Sequence, residues 1–349
     1  MAKGKEYSCE ELKSSNARDW NKLNEENGQG SFYHTLKWKE IVERSNKTRY
    51  FLVYRDGEVA ALCPFYETEF VAKGFFPITA LQNIRNIVFR YPDDALVARQ
   101  IALKCKEIMM KERLTLTKIN LAHDAKDCFR SMNLHPRHES GPSAGNMILD
   151  LREYSPERIW NSLSKKDRRR CSRCERDGWV VDEIKSEEEL ASFYAYYKAN
   201  LQCLRTRLTI YYEFSHFEHL RQTFMTSSSP HEMLVFLLRK NETVAGGLLV
   251  FLHDAKRTMY FEAASLNRKV SNRYSPMYTL FWHGIRKASE MGYTTVDLGG
   301  TPANPKDIHY RMKENFGCSF KPKYYVCFFK SRILNTAFNS LASISALFS

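Results

Sequence analysis

A chain of 349 residues with 43% hydrophobic and 13% aromatic content is too long for one average domain and has ample apolar material for two packed units. No apolar run reaches the roughly 18 residues that a membrane-spanning helix needs. A formal net charge of +13 points to anionic partners: nucleic acid, nucleotide-linked substrates or an acidic membrane surface.

Nine cysteines, an odd number scattered through apparent helices and strands, predict free thiols. The polar opening MAKGKEYSCEELKSS reads as no signal peptide, so a reducing, cytoplasmic setting is expected.

In chain order, residues 1–30 are polar with one short helix, and SFYHTLKWKEIVERS is an amphipathic helix carrying Trp38, Ile41 and Val42. Asp56-Gly57 between two apolar runs marks a hairpin. Further strand and loop follow over 71–90, then a helix from Ala95 to Arg113, a strand LTLTKINLA, a short helix at 123–131, a loop and a strand NMILDL. Ser155-Pro156 opens a second unit with a helix start signal. ERIWNSLSKKDRRRCSRCERDGW reads as one strongly cationic helix, WVVDEI as a strand, and Ser186 with Glu189 as a capping box before an aromatic helix. Another helix ends near Met225, and a second hairpin turns at Lys240-Asn241. TMYFEAAS is a strand, and Ser275-Pro276 begins a helix that Gly292 ends. A short buried strand from Thr294 to Leu298, the pair Gly299-Gly300, a short helix around His309–Lys313 and a last strand complete the unit.

FLVYRDGEVAALCPF and VFLLRKNETVAGGLLVF share a pattern, and each is followed by a long helix and a short strand. This repeat predicts two copies of one mixed-sheet α/β unit, neither a doubly wound dinucleotide fold nor a barrel. The expected division is 1–152, 153–330, and a C-terminal amphipathic helix over 331–349 that docks on the protein or lies on a membrane surface.

The order of the SFYHTLKWKEI helix, the hairpin ending VAALCPF, the SLSKKDRRRCSRCERDGWVV segment, VAGGLLV, VDLGG and YRMKENFG resembles the FemABX-type peptidoglycan-bridge aminoacyltransferases and their BioF2-like acetyltransferase relatives in the GNAT superfamily. The resemblance spans about residues 30–329 and implies an α/β (α+β) fold of two tandem GNAT-like domains, with mixed sheets flanked by helices. It implies transfer of an acyl or aminoacyl group from acyl-CoA or aminoacyl-tRNA, as co-substrate and not as a permanently bound cofactor, to an amine of a cell-envelope or nucleotide-sugar-type acceptor. The Gln/Arg-x-x-Gly-x-Gly/Ala phosphate loop of ordinary GNAT enzymes is absent, and Met312 stands where an aromatic residue is usual.

Lys313 falls on the family's signature lysine, where a cation stabilises developing negative charge. Tyr310 of the same motif either packs or donates to a leaving group, and Arg311 lies beside it. Asp297, before Gly299-Gly300 at a strand's carboxyl end, is a candidate base for the acceptor amine or a partner of a nearby cation; Glu262 is a similar candidate. Lys166, Arg169, Arg170 and Arg173 share helix faces, and arginine pairs with phosphate bidentately. In similar proteins this segment approaches the phosphates of a nucleotide- or lipid-linked acceptor. Cys171 and Cys174 form a lone CxxC with no second ligand pair, so no metal is expected. The expected partners are an anionic or lipid-linked acceptor and tRNA, at the inner membrane face or in the cytoplasm. Two rivals carry the same charge: a non-catalytic nucleic-acid-binding protein, lacking any helix-turn-helix, RRM or zinc-finger pattern, and a degenerate GNAT scaffold.

Overall fold

The computed structural model describes residues 5–71, 77–125, 127–129, 144–203, 213–225, 232–271 and 274–330. Two compact units result: Met1–Ala144 with Pro322–Ser349, and Gly145–Lys321. The C-terminal helix expected over 331–349 lies outside the described residues.

In the first unit, β1 (Tyr7–Glu11), β2 (Thr48–Arg55), β3 (Glu58–Val71), β4 (Pro77–Asn83), β5 (Val88–Phe89), β6 (Leu116–Leu121) and β14 (Tyr324–Phe329) form one sheet, in the order β1-β2-β3-β4-β6-β14 with β5 beside β3. The hairpin turn falls at Asp56-Gly57, both with positive φ, as the primed turns that match strand twist require. Helix α1 (Ala17–Glu26) packs Trp20 and Leu23 against Tyr50, Leu52 and Leu62 on one face, with α2 (Leu36–Glu43) alongside. Helix α3 (Ala95–Lys111) buries Val97, Ile101, Cys105 and Ile108 on the other, against Phe51, Phe65, Ile119 and Val326. Only β4 and β6 run parallel in this sheet's recorded pairings, as expected of strands joined by a helical crossover.

In the second unit, β7 (Ala144–Asp150), β8 (Val180–Glu183), β9 (Met233–Lys240), β10 (Thr243–His253), β11 (Thr258–Leu266), β12 (Thr295–Pro302) and β13 (Ser319–Pro322) follow the order β13-β7-β12-β11-β10-β9-β8. One face carries α4 (Pro156–Ser162), α5 (Lys165–Arg176), α9 (Pro276–Glu290) and α10 (Ile308–Asn315), whose apolar residues join one core with Leu248, Val250, Phe261 and Leu298. The other carries α6 (Glu187–Cys203) and α7 (Phe214–Phe224), where Phe193 stacks on Tyr197 and Phe224 meets Phe251. The four-residue α8 (Arg268–Ser271) links β11 to α9. The repeat is therefore real at the level of topology: a hairpin, a third strand, a helix, and a strand parallel to the third.

Three details differ from the sequence reading. The cationic segment is two helices, because Ser164 caps a new one by accepting from Asp167 N, while Leu163 ends the first in extended conformation. The expected boundaries at 152 and 330 give way to a strand exchange: β7 enters the second sheet, and β14 pairs antiparallel with β6 in the first, where Val326 and Phe328 complete the core. The polar segment YSCEE is an edge strand, half exposed and therefore without an apolar pattern.

Candidate active site at an interrupted parallel pairing

The candidate site grows from a parallel pairing that is cut short. β11 and β12 are in register only over Thr258–Tyr260 against Thr295–Asp297, although β11 runs on to Leu266 and β12 to Pro302. A β-bulge lies where the pairing stops. Phe261 faces Val250 and Ala263 faces Leu249, so Glu262 is the extra residue. Bulges bend a strand and re-aim its groups, and they recur beside active sites. The pairing stops towards the carboxyl ends of both strands, the edge at which open α/β sheets bind ligands.

On the β12 side, Asp297 is buried, and both of its oxygens are occupied: Oδ2 accepts from Asn146 Nδ2 at 2.6 Å and Oδ1 from Gly299 N at 2.8 Å. Gly299 has φ +80°, and a Cβ there would sit 3.0 Å from the Phe261 carbonyl oxygen, so the turn that bends β12 requires glycine. Beneath it, Lys313 on α10 is 6% exposed and donates from Nζ to the carbonyls of Gly300 at 2.7 Å and Gly299 at 3.2 Å. Burial lowers its pKa to about 8, with Asp297 opposing the shift, and burial pushes the nearby Cys318 thiol up.

The sequence candidates thus separate. Asp297, Gly299, Gly300 and Lys313 meet in one cluster, and Glu262 is half-buried at the bulge across from it. Lys313 touches β12 carbonyls, and two of its three donors are committed there. The Tyr310 ring packs at a tilt against Phe320, with centroids 5.5 Å apart, and the neighbouring Arg311 is exposed. Lys166, Arg169 and Arg173 are exposed on α5. Arg170 is partly engaged: its guanidinium donates to Asp167 Oδ1 at 2.9 Å and to the Tyr278 hydroxyl at 3.0 Å. Arg173 lies over the Tyr274 ring. These contacts bring the cationic helix to the first turn of α9, whose N-cap Ser275 makes no side-chain cap bond. Cys171 and Cys174 are buried where α5 meets α9, and burial raises the Cys171 thiol to about 12. No group of three or more metal-ligating side chains occurs among the described residues, and none of their helices is long and apolar enough to cross a membrane.

Sequence reasoning missed Asn146, the partner of Asp297 151 positions away, and buried Asp167, which also accepts from Asn315 Nδ2 of α10 at 3.2 Å. Only the alternation of NMILDL, which puts Asn146 on the polar face of its strand, carried a signal.

The first unit holds the matching geometry in closed form. Its parallel pairing ends at Gln82 and Lys118, and there Asn83 and Asn120 bond side chain to backbone in both directions, at 2.9, 2.6 and 3.1 Å. The N-terminus of α3 is filled by Asp94, which accepts from Leu96 N and Val97 N.

Residues 161–311 match a family model described as an acetyltransferase (GNAT) domain, a span that includes every site candidate except Lys313. Among solved structures, FemX has 14% identity and a TM-score of 0.67, covering 94% of this chain and 99% of FemX. A tandem GNAT protein from the clavulanic acid biosynthesis pathway has 11% identity and a TM-score of 0.62, covering 93% and 99%. L-PGS from Bacillus licheniformis has 15% identity and a TM-score of 0.58, covering 95% and 96%. No curated protein matches the chain. At such identities the structures speak to fold; the domain match adds the chemistry, that of a GNAT-type acyltransferase domain over residues 161–311, in a chain whose architecture is shared with FemX and the tandem GNAT protein.

Proposed function

We propose that the second unit transfers an acyl or aminoacyl group, from acyl-CoA or aminoacyl-tRNA, to an amine of a cell-envelope or nucleotide-sugar-type acceptor. The observation that carries this reading is the interrupted β11–β12 pairing opposite the Glu262 bulge, which leaves strand-edge backbone groups beside the Gly299-Gly300 turn. A linear donor placed there would use those groups as hydrogen-bond partners and present its ester or thioester carbonyl near the bulge.

In this reading Glu262 accepts the proton of the acceptor amine, because both oxygens of Asp297 are already bonded. Asp297 and Lys313 hold the β12 turn in shape, and the remaining donor of Lys313 serves developing negative charge. Tyr310 and Arg311 shape the α10 side of the site. Lys166, Arg169 and Arg173, with Arg170 at the first turn of α9, bind substrate phosphates. An enzyme of this kind works in the cytoplasm or at the inner membrane face, and a lipid-linked acceptor or tRNA fits its basic surface.

A thermal-shift screen with acetyl-CoA, longer acyl-CoAs, aminoacyl-tRNA and UDP-sugars tests it, followed by thiol- or tRNA-release assays with the stabilising donor. Stabilisation and amine-dependent release support the proposal. Salt-steep binding to random DNA without release favours the nucleic-acid-binding rival, and no binding to any donor favours the inert scaffold.

A further inference from the structure

Of the many charged side chains on α5, Asp167 alone is buried, at 5% exposure. Burying a carboxylate is costly unless it is paired and hydrogen-bonded, and Asp167 is both. Its Oδ2 accepts from Ser164 Oγ at 2.6 Å and from Asn315 Nδ2 of α10 at 3.2 Å, and its Oδ1 accepts from Arg170 Nη1 at 2.9 Å. Helix capping accounts for only part of this. Asp167 N donates to Ser164 Oγ at 3.1 Å, which starts α5 in the ordinary way and needs neither Arg170 nor Asn315.

The remaining bonds fix a guanidinium. Arg170 Nη1 is shared between Asp167 Oδ1 and the Tyr278 hydroxyl, the latter at 3.0 Å, and the cation lies over the Tyr278 ring, 4.9 Å from its centroid. Both bonds leave from one nitrogen. Nε and Nη2 make no hydrogen bond among the described residues, and the Arg170 side chain is 35% exposed. These two nitrogens form the planar edge with which a guanidinium grips two oxygens of one phosphate. Lys166 and Arg169, by contrast, are exposed and make no ion pair among the described residues, so nothing there orients them. Asn315 follows Lys313 by two positions, so the same carboxylate joins α5 to the helix that supports the β12 turn.

We propose that Asp167 is a positioning residue, which presents the Nε–Nη2 edge of Arg170 to a substrate phosphate and ties that contact to α10. The proposal rests on the reading of α5 as a phosphate-binding helix. It adds that Arg170 supplies the oriented contact, whereas the exposed cations supply charge.

Isothermal titration of the full chain with inorganic pyrophosphate tests it, because charge and geometry predict opposite signs. Asp167→Asn keeps the size of the side chain and removes a negative charge from a cationic helix. An acid acting through its charge alone would, once neutralised, give tighter binding; positioning predicts binding about fivefold weaker. Arg170→Lys keeps the cation without the fork and should weaken binding by a similar factor. On that background Asp167→Asn should weaken it no further. Ser164→Ala removes the cap bond and leaves the carboxylate beside Arg170, so the melting temperature falls while pyrophosphate binding stays within about twofold. Tyr278→Phe removes only the second acceptor of Nη1 and should weaken binding about threefold; it decides the matter should Asp167→Asn fail to fold. Titrations with UDP and with CoA then assign the phosphate to acceptor or donor by which shows the larger dependence on Asp167. A wild-type chain that does not bind pyrophosphate would overturn both the phosphate-binding reading and this proposal. A wild type that binds, with Asp167→Asn binding equally or more tightly, or with further weakening on the Arg170→Lys background, would overturn the proposal alone.

Discussion

Replacing Lys313 by Met tests the buried clamp under the β12 turn, and its signature is a pH dependence. The ammonium bonds two carbonyls from a 6% exposed position, and burial lowers its pKa from 10.5 to about 8. Because the folded pKa is the lower one, the unfolded chain holds this proton more tightly. Below about pH 8 the folded state bears the full cost of the buried charge, about 3 kcal/mol, and stability rises as pH climbs towards 10.5. Between pH 7.5 and 9.5 about 2 kcal/mol of that cost is released. Lys313→Met removes the titration and strands the Gly299 carbonyl, a loss of about 1–3 kcal/mol at pH 7.5. The Gly300 carbonyl belongs to an exposed residue and retains water. Urea unfolding of both proteins, followed by tryptophan fluorescence, should show the wild-type advantage widening by about 2 kcal/mol from pH 7.5 to 9.5. A constant difference across that range would refute the assignment of the depressed ionisation to Lys313.

Other changes read neighbouring parts of the structure. Gly299→Ala forces a side chain into φ +80° and to 3.0 Å from the Phe261 carbonyl; a loss of about 2 kcal/mol is expected in chemical denaturation. Asp297→Ala leaves Asn146 Nδ2 and Gly299 N without their acceptor inside the fold and should cost about 2–4 kcal/mol, while Glu262→Gln should lower acyl-transfer turnover at least a hundredfold. Lys166→Glu/Arg169→Glu alters only exposed side chains and should weaken substrate binding at least tenfold in isothermal titration, with the melting temperature unchanged within about 2 °C.

Much of the fold was legible because its signals are local. The seven-residue recurrences of α3, the Pro276 start of α9 and the turns at Asp56-Gly57 and Asn241 each depend on a few neighbouring residues. The capping box of α6 is present as expected, with Glu189 N donating to Ser186 Oγ and Ser186 N to Glu189 Oε2. The exchange of β7 and β14 was not legible, since which edge a strand joins depends on vacancies in sheets built by distant segments. The site divides in the same way. Asp297, Gly299, Gly300 and Lys313 lie within 17 positions of one another and were found together, whereas Asn146 and Asp167 reach the cluster and its helix only through tertiary packing. Arg170 stood out for its charge, but its bonds to Asp167 and Tyr278 show a partly structural role that a count of cations does not reveal.

The central claim is that a donor substrate lies between β11 and β12. Hydrogen exchange measured with and without saturating acyl-CoA or aminoacyl-tRNA, whichever stabilises the chain, tests it most directly. The account predicts at least tenfold slower exchange confined to 261–266 and 298–301, with the Asn83–Asn120 region of the first unit unchanged. Protection that appears at Asn83–Asn120, or only on the exposed face of α5, would contradict it.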